Sequence, residues 1–363
     1  MIIPILPQYL TDMGGGEYKG LIISLFTITA ALSRPFSGKL ADTVGRIPVM
    51  VFGTSVCFVL GFLYPITTTL WGFFLLRLLH GFSTGFKPTG TSAYVADIVP
   101  ETRRGEAMGI LGIFGSMGMA TGPAIGPIVV DAFSINALFH LSSIIAILSV
   151  LILAGMKETL ENRQKFSFAL LKVDRKDVYE PRVRAPSIVL VFTYFGFGAL
   201  LTLVPDFSDS LGMPLKHHGW FFTVFMVSSL LIRLVAGKVS DKFGRVPVLK
   251  VATLLIAVSL GLVATAKTEV EFLSYAVLFG FGTGMNSPTI FAWTIDLSHP
   301  EHRGRAMATM FIALEIGIGV GAFGSGWIYG NDDSRLPIVF YVSAVSSFLA
   351  FLYLQFIYKR KVV

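Results

Sequence analysis

Charge is what this sequence has least of. Of its 363 residues only 14% are Asp, Glu, Lys or Arg, against about 25% in an ordinary soluble domain. With 53% hydrophobic residues and a mean hydropathy of +0.72, the chain lacks the polar surface of a water-soluble enzyme. The apolar–polar alternation of an outer-membrane barrel is missing too. Cys57 is the only cysteine, so an intrachain disulfide and a thiolate metal centre are both excluded. Histidines are few, and the one adjacent pair, His217-His218, lies in a loop with no clear carboxylate partner. A polytopic membrane enzyme would need nucleophile, base or metal ligands clustered at one interface, and no such cluster is visible. A Walker-type phosphate loop is absent, which argues against ATP-driven chemistry within the chain. No cofactor and no metal are implied. Met1-Ile2-Ile3-Pro4 lacks the basic n-region of a cleavable signal peptide.

Apolar runs, by contrast, recur along nearly the whole length. At about 20 residues per span, a chain of this size has room for roughly twelve crossings of a hydrocarbon core of about 30 Å. The formal charge of +7 could suggest nucleic acid, but its placement argues otherwise. Basic residues gather in every second loop: Lys39 and Arg46, Arg103 and Arg104, the segment Lys157 to Arg184, then Lys238, Lys242 and Arg245, Arg303 and Arg305, and Lys359 to Lys361. The alternate loops hold only Lys19, Lys216, Lys267 and Arg335. By the positive-inside rule the rich loops, the linker and the C-terminus are cytoplasmic. The expected class is an all-α, multi-pass protein of the cytoplasmic membrane.

The sequence also repeats itself. Gly38-Lys39-Leu40-Ala41-Asp42-Thr43-Val44-Gly45-Arg46 is matched by Gly237-Lys238-Val239-Ser240-Asp241-Lys242-Phe243-Gly244-Arg245, at an offset of 199 residues. The same offset carries Gly81, Thr84 and Gly85 onto Gly280, Thr283 and Gly284, and Asp97 onto Asp296. It carries Arg104-Gly105 onto Arg303-Gly304, and Gly118 and Gly122 onto Gly317 and Gly321. Two apolar halves share composition easily, but not charged residues in register, so the chain reads as a tandem duplication. Two pseudo-symmetric six-helix bundles are expected: residues 1–156, a polar linker 157–185 with room for a short surface helix, and residues 186–363. Helices are expected over 1–12 (a stub), 17–40, 47–66, 70–96, 105–129 and 134–156. The second half repeats them over 186–209, 217–238, 247–266, 270–296, 304–329 and 335–358. Pro205 follows a full apolar span, whereas Pro7, which aligns with it one residue out of that register, follows only six residues, so the first helix is expected to be largely missing.

The doubled glycine–aspartate–glycine–arginine motif resembles the signature between helices 2 and 3 of the major facilitator superfamily, and the resemblance covers the whole chain except the missing helix. Thr43 departs from the basic residue usual there, and Lys242 restores it in the second copy. The resemblance implies that Gly38, Asp42, Gly45, Arg46 and Asp97, with Gly237, Asp241, Gly244, Arg245 and Asp296, latch alternating conformations of the two halves. Physically, the glycines permit a tight turn and close helix approach, and a carboxylate at the membrane edge needs a helix N-terminus or an arginine beside it. Charged loop residues merely obeying the topology rule are the plainer alternative.

Further candidates lie inside the spans. Arg77 sits about 10 Å into helix 4 at 1.5 Å per residue, where an arginine is costly unless paired or hydrated. Arg77-Leu78-Leu79-His80-Gly81 resembles the family's second motif, whose arginine is linked to proton coupling; snorkelling to the outer interface is the alternative. His80, Ser83, Lys87, Thr91 and Tyr94 share one helical face of about 100°, as expected for the wall of a watery cavity. Lys87 there would favour anionic substrates. In helix 5, Gly118, Gly122, Pro123 and Gly126 resemble the antiporter motif of the drug/proton branch, with Pro127 in place of its final glycine. Such glycines also serve helix packing alone. Low dielectric favours the neutral form of a carboxylate, so Glu315 in helix 11 is a candidate proton carrier, or else a structural hydrogen-bonding group. Tyr194, Asn286, Trp293 and Thr294 are further candidates for cavity lining. The resemblance implies a monomeric, proton-coupled secondary transporter for small molecules, most consistent with efflux. Uptake or export of a sugar or small organic anion uses the same scaffold.

Overall fold

In a computed structural model of the chain, the described residues are 2, 5–15, 21–172, 174, 178–214, 217, 219–330 and 332–358. Side chains at 7, 8, 11, 23, 24, 119, 120, 123, 124 and 127 also fall outside that description. The roles expected of Pro7, Pro123 and Pro127, and of Lys19, Lys216, His218 and Lys359 to Lys361, therefore lie outside the described residues.

Twelve α-helices and no strand occur among the described residues. They are α1 (Leu6–Asp12), α2 (Leu21–Thr43), α3 (Arg46–Leu63), α4 (Leu70–Ile98), α5 (Arg104–Ala132) and α6 (Ile135–Ala154). The series continues with α7 (Arg184–Ser210), α8 (Trp220–Phe243), α9 (Arg245–Val263), α10 (Glu269–Leu297), α11 (Arg303–Tyr329) and α12 (Leu336–Leu352). Seven spans among the described residues are long and apolar enough to cross a bilayer by length and composition. Large apolar side chains such as Leu32 of α2, Trp71 of α4, and Phe323 and Trp327 of α11 are all more than two-thirds exposed in the bare chain. Helices suit this setting because every internal backbone N–H and C=O is satisfied within the helix.

By its contacts the chain divides into two compact units. Unit 1 comprises Met1–Ile98, Phe114–Glu180 and Ser298–Phe311, and unit 2 comprises Val99–Ile113, Pro181–Leu297 and Ile312–Val363. The first turns of α5 thus belong to unit 2, and the first turns of α11 to unit 1.

Within unit 1, α2 packs on α4, and α3 packs on α4 and α6. Within unit 2, α8 packs on α10, and α9 packs on α10 and α12, the same pairs six helices later. Glycines make the closest of these approaches. A Cβ on Gly85 would lie 2.9 Å from the Ala30 carbonyl oxygen, and one on Gly284 would lie 2.6 Å from the Ser229 carbonyl oxygen. Ala30 and Ser229 are themselves offset mates, so the duplication holds at the level of single backbone contacts. Aromatic side chains fill both interiors. Tyr64, Phe73 and Phe139 pack with Leu6 and Leu10 of α1 in unit 1, and Phe207, Phe272 and Phe340 pack together in unit 2.

Two helices run further than their sequence suggests. α2 continues to Thr43 and α8 to Phe243, so Asp42 and Asp241 lie in final helical turns instead of loops. One glycine makes each reversal. Gly45 has φ 140° and Gly244 has φ 90°, values that L side chains rarely adopt, and the next helix begins at the following arginine.

Candidate functional site

In unit 1 the repeated motif closes around the N-terminus of α11. A helix leaves its first backbone N–H groups without internal partners, and their partial positive charge favours an anion. Asp42 meets that need: its carboxylate accepts the Gly304 N–H at 2.6 Å and the Arg305 N–H at 2.8 Å. Arg46 then joins three points. Its Nη1 pairs with Asp42 at 2.7 Å and also donates to the Ala41 carbonyl, while its Nε donates to Asp97 at 3.1 Å. Asp97 in turn pairs with Arg303, the first residue of α11, and accepts the Thr159 hydroxyl at 2.6 Å. Arg46 is 1% exposed and Asp42 7%, so these charges depend on one another. Removing one member of such a buried pair typically costs about 3–5 kcal/mol, because it strands the other. Gly38 allows the contact, since a Cβ there would lie 2.8 Å from the Ala308 Cβ. A polar cleft of about 700 Å³ opens beside the network, lined by Lys39, Thr43, Glu161 and His302 among others.

Unit 2 repeats the arrangement on the N-terminus of α5. Asp241 accepts the N–H groups of Gly105 and Glu106, both at 2.9 Å. Arg245 pairs with Asp241 at 2.5 Å and with Asp296 at 2.8 Å, and Arg104 pairs with Asp296 at 3.0 Å. Here Gly237 makes the close approach, for its Cβ would come 2.8 Å from Glu106 Cα. Each carboxylate of the motif therefore caps a helix that begins 199 residues beyond or before its counterpart's.

One of the differences between the copies changes an ion pair. Glu106 of α5 pairs with Lys238 at 3.3 Å, whereas its mate is Arg305, which faces a copy that also carries lysine, Lys39. Arg305 pairs instead with Glu180 at 2.5 Å, at the end of the polar linker. A second linker acid, Glu158, accepts the N–H groups of Arg46 and Ile47 at 3.1 and 3.0 Å and so caps α3. Sequence reasoning missed Glu158, Thr159 and Glu180, whose partners are distant in sequence. Arg104 and Arg303 carried a signal, since the offset relates them, but they were read only as loop charge.

The other candidates are distributed as follows. Arg77 is 3% exposed: its Nε donates to the Ile22 carbonyl at 2.9 Å, Nη1 lies 3.5 Å from the Tyr64 hydroxyl, and the guanidinium sits 4.8 Å from the Phe26 ring centre. His80 Nδ1 lies 3.2 Å from the same Tyr64 hydroxyl. Ser83 bonds the His80 carbonyl, Thr91 bonds the Lys87 carbonyl, and the Lys87 ammonium donates to Ser149 of α6 at 3.3 Å. Tyr94 is half-buried. Asn286 donates to Thr193 at 3.3 Å, Thr294 is buried, and the Trp293 ring meets Tyr358 edge-on at 5.1 Å. Glu315 is half-buried in the unit 2 part of α11. Among the described residues a Cβ on Gly118 would meet nothing within 4 Å, whereas Gly317 and Gly321 press against Val191 and Phe195 of α7. Gly122 and Gly126 are buried.

The loop histidine needs correction. His217 does have an acidic neighbour, with Nδ1 2.9 Å from Glu269 Oε1. Glu269 lies at the start of α10, and only the fold of unit 2 brings it there. No group of three or more metal-ligating side chains occurs among the described residues.

Comparison with known proteins agrees with this geometry. The family model described as Major Facilitator Superfamily matches residues 1–183 and 186–362. The multi-drug resistance efflux pump PmrA of Streptococcus pneumoniae is 29% identical over 357 residues, covering 95% of this chain and 88% of that pump. Multidrug resistance protein 1 of Bacillus subtilis is 22% identical over 318 residues, covering 86% and 82%. Among solved structures, the human organic anion transporter MFSD10 superposes with a TM-score of 0.80 at 19% identity, over 97% of this chain and 89% of that one. At that identity the likeness is one of fold.

Proposed function

Since this chain belongs to the Major Facilitator Superfamily, a family of membrane transporters and not of enzymes, we propose that it exports small amphipathic molecules across the cell membrane in exchange for protons. The observation that carries this reading is the doubled latch. In each unit an Asp–Arg–Asp network, buried around Arg46 in unit 1 and more open at Asp296 in unit 2, holds the N-terminal turns of a helix whose remaining residues are assigned to the other unit. Releasing α11 from Asp42 or α5 from Asp241 changes which contacts those two helices make, which is the kind of two-state element alternating access needs. Efflux is favoured by the similarity to multidrug pumps over most of this chain and by the glycine-rich run of α5.

On this reading Glu315 takes up and releases the coupled proton and Arg77 tunes the step. The basic loops, the linker and the C-terminus face the cytoplasm, and the chain works as a monomer. The test is flux into inverted membrane vesicles across a panel of dyes and organic anions, with and without a pH gradient. Gradient-driven uptake is expected, and Asp42→Asn should abolish it while the protein still inserts. Unchanged flux in that variant overturns the latch, and flux indifferent to the gradient overturns proton coupling.

A further inference from the structure

Comparing the two copies singles out one cation that the latch does not use. The 199-residue offset pairs Arg34 of α2 with Arg233 of α8. Arg34 is well provided for: Nη1 donates to Thr89 at 3.2 Å, Ser37 joins the same hydroxyl at 3.3 Å, and the guanidinium lies 4.3 Å from the Phe311 ring centre. Every one of those neighbours has changed in the second copy. Thr89 is matched by Pro288, Ser37 by Ala236 and Phe311 by Gly112. Proline and alanine side chains accept no hydrogen bond. Glycine at 112 supplies no ring, and the Arg233 guanidinium lies directly against it, for a Cβ there would run into the guanidinium itself. Glu315, four residues beyond Phe311 on α11, is matched by Ser116, so no acid stands at that position either.

What remains beside Arg233 is sparse. Its Nε donates to Ser229 on its own helix at 3.3 Å, and the four N–H groups on its terminal nitrogens bond to no described residue. No carboxylate of a described residue acts on it. The group that acts on it electrostatically is the Tyr194 hydroxyl of α7. A cation inside a span without a counter-charge is stabilised by water or by an anion that arrives from outside. The planar fork of arginine suits a carboxylate or sulfonate, with two parallel N–H···O bonds.

We propose that Arg233, lying against Gly112 of α5 with its terminal N–H groups unmatched by any described residue, recognises an acidic group on the transported molecule, which makes amphipathic organic carboxylates and sulfonates a substrate class of this chain. The proposal rests on the transporter reading above and names the chemistry of its cargo.

The test uses the purified full-length chain and two probes of one shape, 2-naphthoate and its uncharged methyl ester. Phenylglyoxal, which modifies arginine, is applied to the wild type with each probe, and modification of Arg233 is followed by peptide mass spectrometry. Naphthoate is expected to slow it and the ester not. In equilibrium dialysis, Arg233→Gln should weaken naphthoate binding about tenfold or more, the usual scale for a lost charged hydrogen bond. Arg233→Lys should weaken it less, and ester binding should not change. Equal protection by acid and ester, or naphthoate binding to Arg233→Gln like the wild type, overturns the proposal. Ethidium flux in inverted vesicles separates the two claims. If no probe moves in the wild type, the transporter reading fails. If ethidium moves while naphthoate binding ignores Arg233, only the anion site fails.

Discussion

Replacing Asp42 by Asn changes one oxygen to an amide nitrogen, and the geometry says what that costs. One carboxylate oxygen holds both the Gly304 N–H and Arg46 Nη1, and the other holds the Arg305 N–H. Asparagine keeps a single acceptor, so whichever way it turns, its NH₂ faces a donor. The loss is one charge-assisted hydrogen bond, about 1.5–3 kcal/mol, plus the interaction of a full charge with the α11 terminus, about 0.3–1 kcal/mol. Together that is about 2–4 kcal/mol, or roughly a 30- to 700-fold shift toward the released state at 1.4 kcal/mol per decade. Thr309 reports the release: it lies in the second turn of α11, is 4% exposed, and accepts the Glu180 N–H at 3.0 Å. Cys57 is the only native cysteine, so Thr309→Cys in a Cys57→Ser background gives one thiol in a buried position. A membrane-impermeant maleimide applied to inverted vesicles should label it at least about tenfold faster when Asp42 is Asn. Equal labelling rates in the two backgrounds would refute the reasoning, because they would mean that the carboxylate contributes nothing to holding α11.

Other perturbations separate close alternatives. Gly38→Ala should abolish flux with insertion intact, because its Cβ would lie 2.8 Å from Ala308 Cβ and 3.1 Å from Arg305 Cα; such overpacking costs about 1–3 kcal/mol. Gly118→Ala, whose Cβ meets nothing within 4 Å among the described residues, should transport normally, and comparable losses in the pair would sink the packing argument. Gly45→Ala should lower the thermal unfolding midpoint more than Gly244→Ala. Both glycines have positive φ, but only at Gly45 does the new Cβ strike a neighbouring carboxylate, that of Glu158. Glu315→Gln should remove the dependence of flux on the pH gradient while leaving counterflow exchange of substrate; gradient-driven flux that survives assigns Glu315 to packing.

Much of the fold was legible because a bilayer reduces folding to a few strict demands. Long apolar runs must be helices, and the lysines and arginines between them mark one side. A 199-residue offset that preserves Asp, Arg and Gly in register marks the duplication. The Asp42 and Asp241 motifs were legible for the same reason. Their partners on the helix termini were not, because a backbone N–H has no sequence signature and α11 begins more than 250 residues after Asp42. Glu158 and Glu180 look like ordinary linker charge, and only their bonds to the start of α3 and to Arg305 separate them from Glu161 or Lys165 nearby. The stripe from His80 to Thr91 shows the converse. Its periodicity placed these residues on one face, but whether that face meets water or another helix depends on neighbours. In unit 1 Lys87 meets Ser149 of α6, and His80 meets Tyr64.

The sequence by itself determined the class, the number of helices, their approximate limits and the positions of the paired acids and arginines. Those follow from local physics, the intolerance of lipid for bare backbone and for unpaired charge. Tertiary structure alone decided which helix end each aspartate caps, which linker acid answers Arg305, and that Arg233 lost the side-chain neighbours its counterpart kept. These are contacts between residues far apart in the chain, and the energy that selects them exists only once the helices have packed.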